Sequence, residues 1–244
     1  MEIVNKYTLE EILAIFQANY LQQQELDPEV DPGEELTFDT TIGEWIDICD
    51  LVEPRQLGKH FNDFFESNIS IEKWSSVLLP RHSKSLKELC DFIALNTMKP
   101  EIKPVRLFGS DCQSAATFRY LIKKFKEKGI EVKDIKPSSL LEPFAKDNLG
   151  ILIEEVNKVN PLALPQVVYK SNYLYHWGGI FFALAFLLMI ISIWISNLIW
   201  VWLSLFSIGM LFCWIGSKYK PRQVSFHEIT TFRDLITKIQ KKNI

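Results

Sequence analysis

The sequence predicts a mainly α-helical protein in which a helical hairpin crosses a membrane. Two observations favour this fold class. In the stretch 171–217 of the 244-residue chain only His176 can take up a charge. Outside that stretch, apolar side chains recur at helical spacing. We therefore expect a helical bundle, a second small domain that is helical or α/β, and the hairpin.

The uncharged stretch holds two apolar runs, 177–195 and 198–215, which only Ser196 and Asn197 separate. A helix rises about 1.5 Å per residue, so each run covers about 27–29 Å, roughly one hydrocarbon thickness. Backbone groups in lipid must be hydrogen-bonded internally, so each run predicts a membrane-spanning helix. The alternative is a pair of helices buried in a soluble core.

Charged residues beside the hairpin predict its orientation. Lys170 precedes it, Lys218, Lys220 and Arg222 follow it, and the turn has no charge. The positive-inside rule then places both flanks and both termini in the cytoplasm, with the chain integral to the inner, or cytoplasmic, membrane. Small residues that would let the two helices pack closely are Gly178, Gly179, Ala183, Ala185, Ser204, Ser207 and Gly209.

The rest of the chain is expected to form an N-terminal domain at 1–98 and a second small cytoplasmic domain at 99–170. A basic tail with an amphipathic helix follows the hairpin at 218–244. Residues 1–60 carry 14 acidic and 3 basic side chains. Such a surface does not suit nucleic acid, so we expect no nucleic-acid partner.

Local signals define the helices of the N-terminal domain. Thr8 and Glu11 have the spacing of a capping box, and the helix that they open is followed by a proline-containing loop at 25–40. Pro54 suits the first turn of a second helix, whose apolar face is Leu57, Phe61, Phe64 and Phe65. After a short segment with Ile69, Ile71 and Trp74, a second capping box at Ser85 and Glu88 opens the last helix.

This order of elements resembles the acyl carrier protein family over residues 5–96. Asp39–Thr40 stands where the family has an Asp-Thr pair, and Asp50–Leu51–Val52 stands eleven residues later, at its Asp-Ser-Leu triplet. The family attaches phosphopantetheine to that serine. Leu51 has no attachment point, so the resemblance implies the fold of a carrier protein without its cofactor or its carrier activity.

A second, weaker copy of the pattern follows. After a short strand or loop at 105–108 and a helix at 113–128, residues 135–141 resemble the first loop, and Asn148 takes the serine position. The closing helix is missing before the hairpin, but 231–239 matches 85–93, with a hydroxyl residue and an acid three places later. Residues 224–244 either complete a second carrier-like bundle or form an amphipathic helix on the bilayer.

Few residues suggest catalysis. Cys112 follows Gly-Ser-Asp at a helix start, where the helix dipole would lower the pKa of a thiol, so it is a candidate nucleophile. The alternative is a small packed residue behind a capping Ser110 or Asp111. The remaining cysteines form no C-x-x-C pair, and the histidines are scattered, so no metal site is expected. The cysteines and histidines in question are Cys49, Cys90, Cys213, His60, His82, His176 and His227.

These observations favour a non-enzymatic, membrane-tethered cytoplasmic adaptor. Its degenerate carrier-like domains would bind a cytoplasmic protein partner through residues 1–98, with the lipid bilayer as the second partner and no cofactor. One alternative is a membrane-associated enzyme that uses Cys112. Another is an oligomerising membrane effector built on the hairpin.

Overall fold

In a computed structural model the described residues are 5–27, 29–30, 32–107, 109–192 and 199–241. They are mainly helical, as the sequence predicts. The helices are α1 (Leu9–Leu26), α2 (Ile42–Ile48), α3 (Pro54–Phe64), α4 (Ile71–Leu78), α5 (Leu86–Asn96), α6 (Gln113–Glu127), α7 (Leu141–Val159), α8 (Tyr173–Ser192), α9 (Ile199–Gly216) and α10 (Phe232–Gln240). The strands are β1 (Val105–Leu107), β2 (Ser110–Cys112), β3 (Val168–Lys170) and β4 (Gln223–Ser225).

The internal contacts divide the chain into two compact units. The first, the head, comprises 1–141, 148–167 and 226–244. The second, the hairpin unit, comprises 142–147 and 168–225. Each unit is therefore made of segments that are distant in sequence.

Aromatic rings fill the centre of the head. Phe61 lies 5.0 Å from Trp74 and 6.0 Å from Phe16, centroid to centroid. Trp45 stacks against the same ring at 6.2 Å. Helix α1 packs against α5, and α3 packs against α4. Burial of such side chains is the main source of stability in a helical bundle of this size.

The capping signals predicted from the sequence are confirmed. Thr8 accepts a hydrogen bond from the Glu11 N–H while the Glu11 carboxylate accepts one from the Thr8 N–H. Ser85 and Glu88 do the same, and Pro54 is the first residue of α3. These contacts satisfy N–H groups that have no partner within their own helix.

Two helices lie where the sequence pattern predicted none. Helix α2 fills part of the connection before Pro54, and its start is fixed by a Thr41–Glu44 capping box. Helix α4 occupies the expected short segment, because Ser70 accepts from the Lys73 N–H and Trp74 is fully buried. Both helices are too short for an apolar repeat to be visible in the sequence.

Backbone hydrogen bonds join the segments that precede α2 and α5. Thr41 and Ser85, the residues before these helices, form an antiparallel bridge. Ile42 donates to Lys84 O (2.8 Å), Leu86 donates to Thr40 O (2.9 Å), and Lys87 donates to Phe38 O (3.0 Å).

The same pattern recurs between α7 and α10. Leu140 and Thr231 form an antiparallel bridge. The three matching hydrogen bonds run from Leu141 to Thr230 O (2.9 Å), from Phe232 to Ser139 O (3.2 Å) and from Arg233 to Pro137 O (2.7 Å). Helix α10 also packs against α6, with the Phe118 and Phe232 rings 6.4 Å apart. The C-terminal helix therefore lies in the head.

The hairpin unit contains α8 and α9, which pack against each other along their length. Both are long and apolar enough to span a membrane. Only 11% of the most apolar 18-residue stretch of each helix is buried. Helix α8 begins four residues before the predicted Trp177, because Asn172 accepts from the Tyr175 N–H and starts the helix there. The predicted turn at Ser196–Asn197 lies outside the described residues.

Only some of the predicted small residues lie at the contact between α8 and α9. Gly178, Ala185 and Gly209 are buried, whereas Gly179 and Ala183 are exposed. A Cβ on Gly178 would lie 3.0 Å from the Cys213 backbone nitrogen and would also meet the Cys213 Sγ. The hydroxyls of Ser204 and Ser207 donate to carbonyls of their own helix, four residues back, and both residues are exposed.

Candidate binding cleft and buried charges

A cleft of about 550 Å³ opens between α1, α3 and α7 of the head. Its apolar wall consists of Ile15, Phe16, Leu26, Trp45, Leu51, Leu57, Phe61, Phe64, Phe65 and Ile153. Polar side chains, among them His60, Asp63, Lys128 and Glu154, also line it. An apolar cavity of this size with a few polar groups is typical of a binding site.

Leu51, the residue that the predicted resemblance aligns with an attachment serine, lies in this wall. It is half-buried, and its N–H donates to Ile46 O (2.9 Å) at the end of α2. Asp50 before it has a positive φ of 43°, so the chain turns sharply into this position. The leucine side chain therefore adds apolar surface to the cleft where a serine would bring a hydroxyl.

Asn148, which the predicted second copy aligns with the same serine, lies inside α7. It is the residue of α7 with non-helical backbone angles (φ −137°, ψ 31°), so the helix is kinked there. It is half-buried. The predicted triplet thus coincides with a break between two helical segments, as Asp50–Leu51–Val52 does between α2 and α3.

A chain of alternating charges lies beside the cleft, and we call it the charge ladder. Lys128 forms an ion pair with Glu154 (3.0 Å), and Glu154 also forms an ion pair with Lys158 (2.8 Å). Lys158 also contacts Glu155 at 2.7 Å and Glu66 at 3.8 Å. Lys124 closes it with a contact to Glu66 of 2.6 Å. The ladder joins α6 and α7 to the end of α3.

The centre of the ladder is withdrawn from water. The side chains of Lys158 and Glu155 are 2% and 0% exposed. Lys158 Nζ also lies 5.3 Å from the centre of the Phe64 ring. Charges in such surroundings are tolerated only when they are paired, because the desolvation of each ion costs several kcal/mol.

Two polar atoms of this region have no hydrogen-bond partner among the described residues, namely Glu155 Oε2 and the Tyr120 hydroxyl. Burial raises the pKa of Tyr120 above its ordinary value, and the charge of Glu155 raises it further. Tyr120 is therefore a neutral hydroxyl at physiological pH. It lines a second cleft of about 600 Å³, together with Lys124, Lys158 and Glu66.

At the outer end of the ladder, the contact between Glu66 and Lys124 favours the ionised form of both side chains. Burial acts to raise the pKa of Glu66, but the hydrogen bond and positive charge of Lys124 outweigh it and hold that pKa below its ordinary value. Burial acts to lower the pKa of Lys124, and its contact with Glu66 outweighs this and raises it. Each partner therefore stabilises the ionised form of the other.

Cys112 is the last residue of β2 and the residue before α6. It is half-exposed, and its side chain makes no capping hydrogen bond. Cys49 and Cys90 are buried, and burial raises the pKa of each thiol to about 12. No group of three His, Cys, Asp or Glu side chains that could hold a metal occurs in the described part of the chain.

Sequence reasoning did not find the cleft or the ladder. Glu154, Glu155 and Lys158 have the spacing of helical ion pairs, which is usual on a solvated face. The available signal was their position among apolar residues, since Glu154 and Glu155 lie between Ile153 and Val156 and Lys158 precedes Val159. His60 does line the cleft, but His82 contacts Arg81 (3.1 Å) on the surface instead.

Comparisons with protein-family models, with curated proteins and with solved structures give no match for this chain. The candidate site therefore depends on its own geometry and chemistry.

Proposed function

We propose that this protein is a membrane-anchored adaptor whose head holds a cytoplasmic protein partner close to the bilayer. The observation that carries the proposal is the pair of long apolar helices that leave most of their surface uncovered. A core helix of a soluble protein of this length would be largely buried. Lipid is the solvent that suits such a surface.

The segments on both sides of the hairpin are continuous in sequence with the head. Residues before α8 and after α9 are joined by the β3–β4 pair, in which Lys170 lies opposite Gln223. The two chain segments that lead from the head to the hairpin therefore run side by side. Holding a partner there would raise its concentration near the membrane without any catalysis by the chain.

The cleft supplies a surface for the partner. Its wall is aromatic, and aromatic anchors in a pocket contribute most of the binding energy in many interfaces. Many acidic residues between 10 and 53 are exposed, with Lys6, Arg55 and Lys59 as the basic residues of the described part of 5–60. A basic amphipathic helix matches both features, and the resemblance to carrier proteins is consistent with a protein partner.

Membrane anchoring is tested by fractionation of the full chain. We expect it to sediment with membranes, to resist extraction at alkaline pH and to need detergent for release. Recovery in the supernatant after high-speed centrifugation without detergent would refute the anchor.

Partner binding is tested by a photo-crosslinking residue placed in turn at Leu26, Leu51 and Leu162 of the full chain in membranes. The first two positions line the cleft, and Leu162 is an exposed position that does not. We expect one discrete protein adduct from both cleft positions and none from Leu162. The same adducts from all three positions, or none from the cleft, would argue against the adaptor function.

A further inference from the structure

The hairpin unit concentrates positive charge at one end. Lys170 precedes α8, and Lys218, Lys220 and Arg222 follow α9, while the helices themselves are uncharged. Because α8 and α9 are antiparallel neighbours, these residues meet at the same end of the hairpin. All four side chains belong to exposed residues.

Only one of these four cations is neutralised. Lys220 contacts Asp147 at 2.6 Å. Within the described residues, Lys170, Lys218 and Arg222 take part in no ion pair with a carboxylate. We call these three residues the basic collar. An exposed cation without a carboxylate partner is available to an anionic ligand.

Aromatic rings orient two of the three collar side chains. Lys218 Nζ lies 3.5 Å from the centre of the Trp214 ring, and the Arg222 guanidinium lies 4.6 Å from the centre of the Tyr173 ring. Such contacts orient a cation without neutralising its charge. The aromatic partners are also the residue types that favour the headgroup level of a bilayer.

Backbone contacts hold the three collar residues near one another. The Arg222 N–H donates to Lys170 O (2.8 Å) and extends the β3–β4 pair. The Asn172 amide donates to the carbonyls of Gly216 and Tyr219 and so fastens the start of α8 to the end of α9. The backbones of the three collar residues are therefore already close together before a ligand binds, which lowers the ordering cost of binding.

We propose that the basic collar binds the phosphodiester headgroup of an anionic phospholipid. The proposal rests on the membrane anchor proposed above. The apolar helices would place this end of the hairpin at the headgroup layer, where each nearby Lys or Arg contributes about 1 kcal/mol of attraction to anionic lipid. That energy corresponds to roughly a fivefold change in affinity per cation.

The test uses the full chain in mixed detergent–lipid micelles and compares phosphatidylglycerol with phosphatidylcholine, with bound lipid counted by native mass spectrometry. We expect a preference for phosphatidylglycerol that falls about fivefold in Arg222→Gln and in Lys218→Gln. The double variant Lys220→Gln/Asp147→Asn is the matched control and should change it less than twofold, because it removes a cation together with the carboxylate that neutralises it. Arg222→Lys should retain most of the preference and shows that the fold tolerates a change there.

Three results would overturn the proposal. Equal binding of the two lipids by the unmodified chain would show that it has no preference for an anionic headgroup. An equal loss in Lys220→Gln/Asp147→Asn and in Arg222→Gln would show that the loss does not depend on the collar residues. Competition by millimolar glycerol phosphate as effective as that by the lipid would assign the site to free phosphate. Failure of the anchor itself would be seen separately, as recovery of the chain without detergent.

Discussion

Leu140 and Thr231 form an antiparallel backbone bridge although the whole apolar hairpin lies between them in sequence. The bridge and its three flanking hydrogen bonds repeat the connection between Thr41 and Ser85. We infer that α6, α7 and α10 are a second copy of the N-terminal helical pattern, into which the hairpin is inserted. The two parts of this copy would then lie on either side of the hairpin in sequence.

The first prediction concerns the packing of α10 in the head. Its side chains Phe232, Leu235, Ile236 and Ile239 are buried, and each contributes on the order of 1.5–3 kcal/mol. Ending the chain after Ser225 should therefore expose α6 and α7 to limited proteolysis. Ending it after Lys241 removes no part of α10 and serves as the control. Unchanged resistance of residues 113–159 in the shorter chain would show that α10 contributes nothing to this region.

The second prediction concerns the buried pair of the charge ladder. Lys158→Met should destabilise the protein by about 3–5 kcal/mol, because Glu155 is left as an unpaired buried charge. The double variant Lys158→Met/Glu155→Leu should lose less than Lys158→Met alone. Denaturant unfolding of the full chain in micelles measures both. Lys133→Met, with a side chain 85% exposed, is the control and should have almost no effect.

A third prediction follows from the pKa of Glu66, which is held below its ordinary value by Lys124 after burial has acted in the opposite direction. A carboxyl with a lowered folded-state pKa adds stability above its unfolded pKa and loses it as the pH falls through the folded value. Glu66→Gln should therefore weaken the acid dependence of stability below about pH 4.5, the ordinary value. Denaturant unfolding at a series of pH values between neutrality and pH 3 measures this dependence.

The control for this prediction is Glu131→Gln, because the side chain of Glu131 is 81% exposed. Its pH profile should match that of the unmodified chain. If Glu66→Gln shows the full acid dependence, the contact between Glu66 and Lys124 has no energetic weight in solution.

A fourth prediction compares two adjacent glycines of α8. Gly178→Ala should destabilise the contact with α9 by about 1–3 kcal/mol, because its Cβ meets the Cys213 backbone and side chain. Gly179→Ala has no atom within 4 Å of the new Cβ and should be neutral or slightly favourable. Thermal unfolding of the full chain in one detergent compares the variants. Equal effects at both positions would contradict the packing of α8 on α9.

The last prediction concerns the thiols of the head. Cys49 and Cys90 are buried with a pKa of about 12, so they should react with iodoacetamide only on unfolding. Cys112 is half-exposed and should be labelled in the folded protein. Peptide mass spectrometry after timed labelling gives the order. A rate at Cys112 far above that of a free thiol would revive the alternative of a cysteine-dependent enzyme.

Features that depend on neighbouring residues could be predicted from the sequence. The capping boxes of Thr8 and Ser85 were predicted because a hydroxyl and an acid three residues apart satisfy each other's backbone groups. The two apolar helices were predicted from their length and lack of charge. The start of α8 was misplaced because Asn172, a polar residue outside the apolar run, fixes it.

Residue order therefore determined most of the longer helices, the two segments that are apolar enough for lipid, and the absence of a side-chain hydroxyl at Leu51. The tertiary structure decided that Lys158 and Glu155 are buried, that Leu51 faces a cleft, and that α10 lies beside α6. The physical reason is the distance in sequence between the residues that interact. Caps and apolar runs are satisfied within a few residues, whereas burial and ion pairing depend on which distant segments pack together.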